Sequence, residues 1–348
     1  MFHIFTPPPS LRSAHDIIGS RTALALTQAG LPAISHNLLP DFLASTFERG
    51  SIPFGRRIFR KVIAPPLVKR KLAAVTNGDA FWILGSAVPM LEDARLERQV
   101  IACGGRYIYH VMDDWLSIPY LRAGTMTRCN LARLVVVPTP ELYGRVRDTI
   151  PEANVIRLEE PIDVDRVFPM PAPDDGLPPL VVWCGNPGQL RRLDMIVDVL
   201  NKLQKHAPFR FRVISGRRPN LSLNFAWEWK PYSYMNESHL LAGAVAGIAP
   251  LDDTPYTRCK GAYKIKTYMA AGIPTVASPV GYQCELVKEG VTGFLPGCES
   301  EWMDALEQLI TRPQLATSLA SASREIACRL YSHAAIAPAW IKAVVSVR

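Results

Sequence analysis

The chain has 348 residues, 48% of them apolar, and carries 39 Lys and Arg against 31 Asp and Glu, a formal net charge of +8. That length exceeds what one core ordinarily serves, so two domains are expected, and the apolar share excludes a disordered protein. Seven cysteines, scattered from Cys103 to Cys328 without a Cys-x-x-Cys pair, exclude a zinc ribbon or a disulfide framework and read as small buried hydrophobes.

The start, MFHIFTPPPS, lacks the basic and then apolar pattern of a secretory signal. No apolar run reaches the roughly 20 residues of a membrane helix, so a cytoplasmic chain is expected. A first strand is predicted at 3–5, followed by a proline-rich loop that holds Arg12 and Ser13. From Arg49 to Gly78 come eight Lys or Arg residues and no acid, interleaved between Arg49 and Lys71 with apolar side chains such as Phe54, Ile58 and Phe59. That mixture suits an anionic membrane surface, which would place the protein peripherally on the inner membrane face; a solvated basic loop is the alternative. Nucleic acid is not expected, because no nucleic-acid motif accompanies the charge.

Further strands are predicted at 81–84, 107–111, 134–137 and 155–158. A second series follows at 180–184, 211–215, 245–248, 275–277 and 293–295, with helical stretches such as 190–203 and 302–310 between them. Strand–helix alternation of this kind implies parallel sheets with helices on both faces. Between the series, 161–179 (PIDVDRVFPMPAPDDGLPP) holds six prolines and reads as a linker. The expected division is an N-terminal domain over 1–165, a linker over 166–179, a second domain over 180–330, and a C-terminal helix over 331–348 that packs back on the first domain. Ligands of open α/β sheets sit outside the carboxyl ends of the strands, so two such domains would face each other across a cleft.

The most informative stretch is 251–296, LDDTPYTRCKGAYKIKTYMAAGIPTVASPVGYQCELVKEGVTGFLP. A helix is predicted from about Tyr263, stopped by Gly272 and Pro274, then a strand, a tight loop ending at Gly281, and a second helix from about Tyr282 to Gly290. Lys260 falls at or just before the first helix, with Arg258 beside it. Cations are unfavourable at a helix N-terminus unless an anion binds there. Lys264 lies four residues on, so both lysines are expected to share a face, with charge enough for a diphosphate. An exposed basic helix end is the alternative.

This segment resembles the donor-binding signature of family-4 (group 1) glycosyltransferases. It is similar in particular to a bacterial branch with a Lys-x-x-x-Lys variant. The matching stretches are Lys260-Gly-Ala-Tyr-Lys264, Tyr268-Met-Ala-Ala-Gly-Ile-Pro274, Ala277-Ser-Pro-Val-Gly281, Glu285-Leu-Val287 and Gly290-Val-Thr-Gly-Phe-Leu295, and Leu180-Val-Val-Trp-Cys-Gly185 resembles the first strand and loop of the same domain. The resemblance implies an α/β fold of the GT-B type, two Rossmann-like domains. It implies a hexosyltransferase-type enzyme of polysaccharide biosynthesis, moving a sugar from a nucleotide sugar to a glycan or lipid-linked acceptor with retention, and needing neither metal nor cofactor. On the donor side it implies Gly185, Arg191, Arg192, Trp229, Tyr232, Lys260, Tyr263, Lys264, Thr267, Gly281 and Glu285. Thr267 stands where most of the wider family has a Glu that holds the ribose. Glu285 binds donor hydroxyls or simply favours its helix's first turn.

In the N-terminal half, Tyr107-Ile-Tyr-His-Val-Met-Asp-Asp-Trp115 resembles a strand end of some of these transferases. Asp113 is the leading candidate to orient the acceptor hydroxyl or take its proton, with Asp114 and His110 behind it. The alternative is that the acidic pair only caps the next helix. Arg12 and Ser13 are expected to line the acceptor side. Asp163-Val-Asp165 has the form of a metal-binding pair, but it lies where the family commonly has an Asp in the linker. Two rival functions are a nucleotide-sugar epimerase of the same fold and a non-catalytic subunit that only binds donor or glycan.

Overall fold

The structure, a computed structural model, describes residues 1–6, 19–37, 66, 69–70, 79–85, 94–171 and 176–347. Arg12 and Ser13 lie outside the described residues, and so does the basic stretch between Arg49 and Lys71 apart from positions 66, 69 and 70. The chain divides into two compact units. One is Met1–Pro161 together with Cys259–Gly261 and Ile336–Arg348; the other is Ile162–Arg258 together with Ala262–Ala335.

The first unit is built on strands β1 (Phe2–Thr6), β2 (Ala33–Asn37), β3 (Ala80–Leu84), β4 (Arg106–His110), β5 (Leu134–Val137) and β6 (Val155–Arg157). They form one parallel sheet in the order β2-β1-β3-β4-β5-β6. Every residue of β1, β3 and β5 is buried, as parallel strands covered on both faces require. Phe5, Phe81, Tyr107, Tyr109, Val135 and Leu142 belong to the core on one face. Fully burying side chains of this size stabilises by about 1.5–3 kcal/mol each. β2 was not expected from the sequence: three of the five residues of AISHN are polar, which an edge strand tolerates.

Helix Pro140–Thr149 begins as its sequence dictates. Thr139 Oγ1 accepts from Leu142 N at 3.3 Å, Pro140 follows, Glu141 lies in the first turn and Arg147 in the last. The same Thr139 hydroxyl donates to the Cys259 carbonyl at 3.0 Å, which fixes the inserted segment Cys259–Gly261 within this unit. Near the C-terminus Trp340 lies 5.0 Å from the Trp82 ring and donates its indole N–H to the Glu159 carbonyl at 3.0 Å.

The second unit carries β7 (Leu180–Cys184), β8 (Arg210–Ser215), β9 (Glu228–Pro231), β10 (Ala244–Ala249), β11 (Thr275–Ala277) and β12 (Gly293–Phe294). They form a second parallel sheet, ordered β12-β11-β10-β7-β8-β9. Alternate residues of β7 serve opposite faces: Val181 and Trp183 join Leu200, Phe211, Val213 and Leu306, whereas Leu180, Val182 and Cys184 join Ile265, Tyr268 and Met269. β9, with Glu228, Lys230 and a closing Pro231, is another edge strand that the apolar pattern did not reveal. Among the described residues no helix is long and apolar enough to cross a membrane.

Candidate functional site

The second sheet starts at β7, runs outward through β8 and β9, and returns to place β10 on the other side of β7. The crevice at the carboxyl ends of β7 and β10 is therefore the switch point, where open α/β sheets bind ligands. Tyr268 bridges the two strands: its hydroxyl accepts from Cys184 N at 2.8 Å and donates to the Ile248 carbonyl at 3.3 Å. Its ring fits only because residue 247 is Gly; a Cβ there would lie 2.5 Å from the ring. Sequence reading placed Tyr268 within a motif but gave it no role.

Gly185 follows β7 directly. A Cβ on it would sit 2.7 Å from the Trp183 ring and 3.3 Å from Lys264 Nζ. Lys264, in the helix Tyr263–Ala270, holds its ammonium 3.9 Å from the centre of the Trp183 indole. Among the described residues no carboxylate forms an ion pair with it. Desolvation pushes its pKa down to about 7, and Arg192 acts in the same direction against a contribution from Cys184. An anion arriving above Gly185 would therefore meet an amine that has no carboxylate partner among the described residues.

The two candidate arginines differ. Arg192 is buried and committed: Nε pairs with Asp252 at 2.6 Å and Nη1 bonds Gln189. Arg191 is exposed. Both lie in a 3₁₀ segment, Pro187–Ile196, that precedes the helix Val197–His206 instead of forming its first turns. Trp229 lies on β9, where its indole N–H reaches both Ser215 O (3.3 Å) and Ser215 Oγ (3.2 Å). Tyr232 is exposed, and its backbone N–H donates to Ser215 O at 3.1 Å. Thr267 is buried, the Tyr263 hydroxyl is buried without a partner, and Glu285 is exposed on the one-turn helix Gln283–Leu286. Gly281 has a left-handed backbone (φ +54°), and a Cβ there would meet the Arg258 carbonyl oxygen at 2.3 Å.

Lys260 lies just before the helix but does not share the expected face with Lys264. The helix starts only at Tyr263, after Ala262 in a left-handed conformation (φ 49°), so Lys260 stands outside it and shares no helix face with Lys264. It belongs to the inserted segment of the first unit, where its ammonium donates to Asp113 Oδ1 at 3.0 Å. Arg258 is likewise engaged, by Asp253 at 2.8 Å.

The three first-unit candidates separate clearly. Asp113 is partly exposed, and among the described residues only Lys260 is bonded to its carboxylate. Asp114 is fully buried: Oδ1 caps the Trp115–Ser117 turn by accepting from Ser117 N at 3.2 Å, and Oδ2 accepts from Arg145 at 3.2 Å. That is the capping alternative, and it removes Asp114 from solvent. His110 is also fully buried, 3.5 Å from Glu160, and burial pushes its pKa down to about 3. It is a neutral core imidazole with no surface for a substrate. Asp163, in the apparent metal pair, spends Oδ1 on the backbone N–H groups of Asp165 (3.2 Å) and Arg166 (3.1 Å).

These two parallel sheets define the fold as GT-B, with two Rossmann-like domains. Residues 178–312 match the family described as glycosyl transferases group 1. No curated protein matches the chain in sequence. In structure it is similar to Anabaena Alr3699/HepE in complex with UDP and glucose, at 15% identity over 99% of this chain and 100% of that one, with a TM-score of 0.69. It is similar to sucrose-phosphate synthase from Thermosynechococcus elongatus, at 16% identity, 89% and 82% coverage and a TM-score of 0.65. It is also similar to a point mutant of S. aureus TarM in complex with Fondaparinux, alpha-GlcNAc-glycerol and UDP, at 13% identity over 79% of this chain, with a TM-score of 0.60; this chain spans only 58% of that one.

Proposed function

We propose that this protein is a glycosyltransferase that binds a nucleoside-diphosphate sugar at the β7–β10 switch point of its second unit. The observation that carries the reading is Lys264: an amine without a carboxylate partner among the described residues, beside Gly185, within the stretch that matches group 1 glycosyl transferases. UDP in the HepE and TarM complexes supports the same donor chemistry. Charge develops on the leaving diphosphate as the glycosidic bond breaks, and a fixed cation there lowers the barrier. Lys264 and the exposed Arg191 supply that charge here, so the reaction proceeds without metal, and transfer with retention is the stereochemistry proposed. Asp113 orients the acceptor hydroxyl through its second carboxylate oxygen, with Lys260 holding the first at 3.0 Å.

The acceptor proposed is a glycan or a lipid-linked glycan, and the basic, apolar stretch between Arg49 and Lys71 supports reversible contact with an anionic membrane surface. Binding of UDP, followed by release of UDP from a panel of UDP-sugars, tests the core of the reading. Lys264→Met should weaken UDP binding by about 1.5–3 kcal/mol, the loss of one charge-assisted contact. A folded wild type that binds no nucleoside diphosphate ends the proposal.

A further inference from the structure

Trp183 is fully buried on β7, yet it is not merely core. One face of its indole carries the Lys264 ammonium at 3.9 Å, and the ring edge walls Gly185 so closely that a single methyl would collide with it. Salt bridges hold many cations of this unit in place: Arg192 has Asp252, Arg166 has Glu237, Arg212 has Glu228. Lys264 has an aromatic face instead.

The difference matters chemically. A carboxylate would fix Lys264 as a permanent cation and would also oppose an incoming diphosphate. A π face attracts the ammonium without carrying a negative charge, so it orients the group and leaves its full charge to the ligand. We propose that Trp183 is a positioning residue for the donor diphosphate: its ring face, 3.9 Å from Lys264 Nζ, holds and aims an amine that has no carboxylate partner among the described residues and favours its charged form when the diphosphate is bound. This rests on the donor-site reading above.

The surroundings decide the protonation. The groups acting on Lys264 are the Cys184 thiol on β7 and Arg192 on the Pro187–Ile196 segment. Arg192 is already neutralised by Asp252, and Glu237, the buried acid that acts on Cys184 and Tyr263, is committed to Arg166 at 2.7 Å. Desolvation pushes the free lysine down to about 7, so it is not fully charged at neutral pH, and a bound diphosphate raises its affinity for the proton. Binding is therefore strongest below pH 7 and weakens as pH rises through and above 7, toward the higher value of the complex.

The test is calorimetry of UDP binding, without divalent metal, across pH 7–9 in buffers of different ionisation enthalpy. Wild type should take up a measurable fraction of a proton per UDP in the range just above pH 7. Lys264→Met should bind more weakly, with no uptake from this site, and it subtracts the titration of the UDP phosphate itself near pH 6. Trp183→Leu removes the face that favours the charged lysine, so the fall of affinity should begin about half a unit to one unit lower in pH. Trp183→Phe keeps a weaker π face and should fall between the two; it also carries the test if the leucine variant does not fold. A merely structural tryptophan would lower affinity equally at every pH, and that uniform loss in the Phe and Leu variants overturns the proposal. Wild-type binding with no proton uptake overturns it too while leaving the donor site standing. Absence of any UDP binding removes the donor site itself.

Discussion

Replacing Gly281 by Ala tests the packing of its loop against the main chain of Arg258. Two separate penalties arise. At φ +54° a Cβ-bearing residue is strained by about 1–2 kcal/mol. The new methyl would also lie 2.3 Å from the carbonyl oxygen of Arg258 and 2.7 Å from its Cα. These are main-chain atoms. Arg258 N donates to Thr254 O at 3.0 Å, and its guanidinium is bound to Asp253, so the obstacle cannot rotate aside as a side chain would. Overpacking of this kind costs about 1–3 kcal/mol, which brings the expected total to roughly 2–5 kcal/mol. Gly290 supplies the control, because it has the same backbone hand (φ +68°) with nothing within 4 Å of an added Cβ. Gly290→Ala should therefore lose only the backbone part, about 1–2 kcal/mol. Native-state hydrogen exchange on the amides of β7 and β10 reads the opening of this unit without assuming that the whole chain unfolds in one step. Equal destabilisation by the two substitutions would refute the argument that close main-chain approach requires glycine at 281.

The remaining predictions concern the first unit. Asp113→Asn should slow transfer roughly 10²-fold or more while UDP affinity stays at the wild-type value. Lys260→Met should also slow transfer and leave UDP affinity unchanged; a tenfold loss of UDP affinity would return Lys260 to the diphosphate site. His110 should make the protein acid-sensitive. Its folded value of about 3 lies below the ordinary imidazole value near 6.5, so between these limits the unfolded chain binds the extra proton, and stability falls as pH drops below about 6.5. At pH 5 that amounts to about 2 kcal/mol relative to neutral pH. His110→Leu should abolish this share of the acid loss, as read by denaturant midpoints at pH 7.5 and 5; an unaltered pH dependence would show that the imidazole does not resist protonation.

The buried strands were legible because both their faces are covered: AFWIL, LVVV and LVVWC announce themselves without any helical period. β2 and β9 were not, because an edge strand need not be apolar and AISHN and EWKP read as loops. The stretch 251–296 was legible as a motif, and Gly281 within it marks a close main-chain approach, whereas Gly247, on β10, was not singled out. The expectation that Lys260 and Lys264 share a helix face failed for a specific reason. The turn that separates it from the helix is made by Ala262 in a left-handed conformation, a residue type that gives no sign of such a turn, whereas Gly261 beside it does not take that hand. Asp113 led Asp114 and His110 in sequence, but their burial was not legible there, since it depends on what the fold brings to the end of β4: Arg145 for one, Trp82 and Trp340 for the other.

The first unit is discontinuous along the chain, and this orders events during synthesis. Its last strand ends at Arg157, but Cys259–Gly261 and Ile336–Arg348 belong to it as well. Trp340, which covers Trp82 and His110 and bonds the Glu159 carbonyl, leaves the ribosome only after the whole second unit has been made. A growing chain thus completes every strand of the first sheet while one aromatic face of it is still uncovered, and the second unit, closed by Ala335, can finish folding before the unit that precedes it. A nascent first domain of this kind is a client for chaperones throughout the translation of its neighbour.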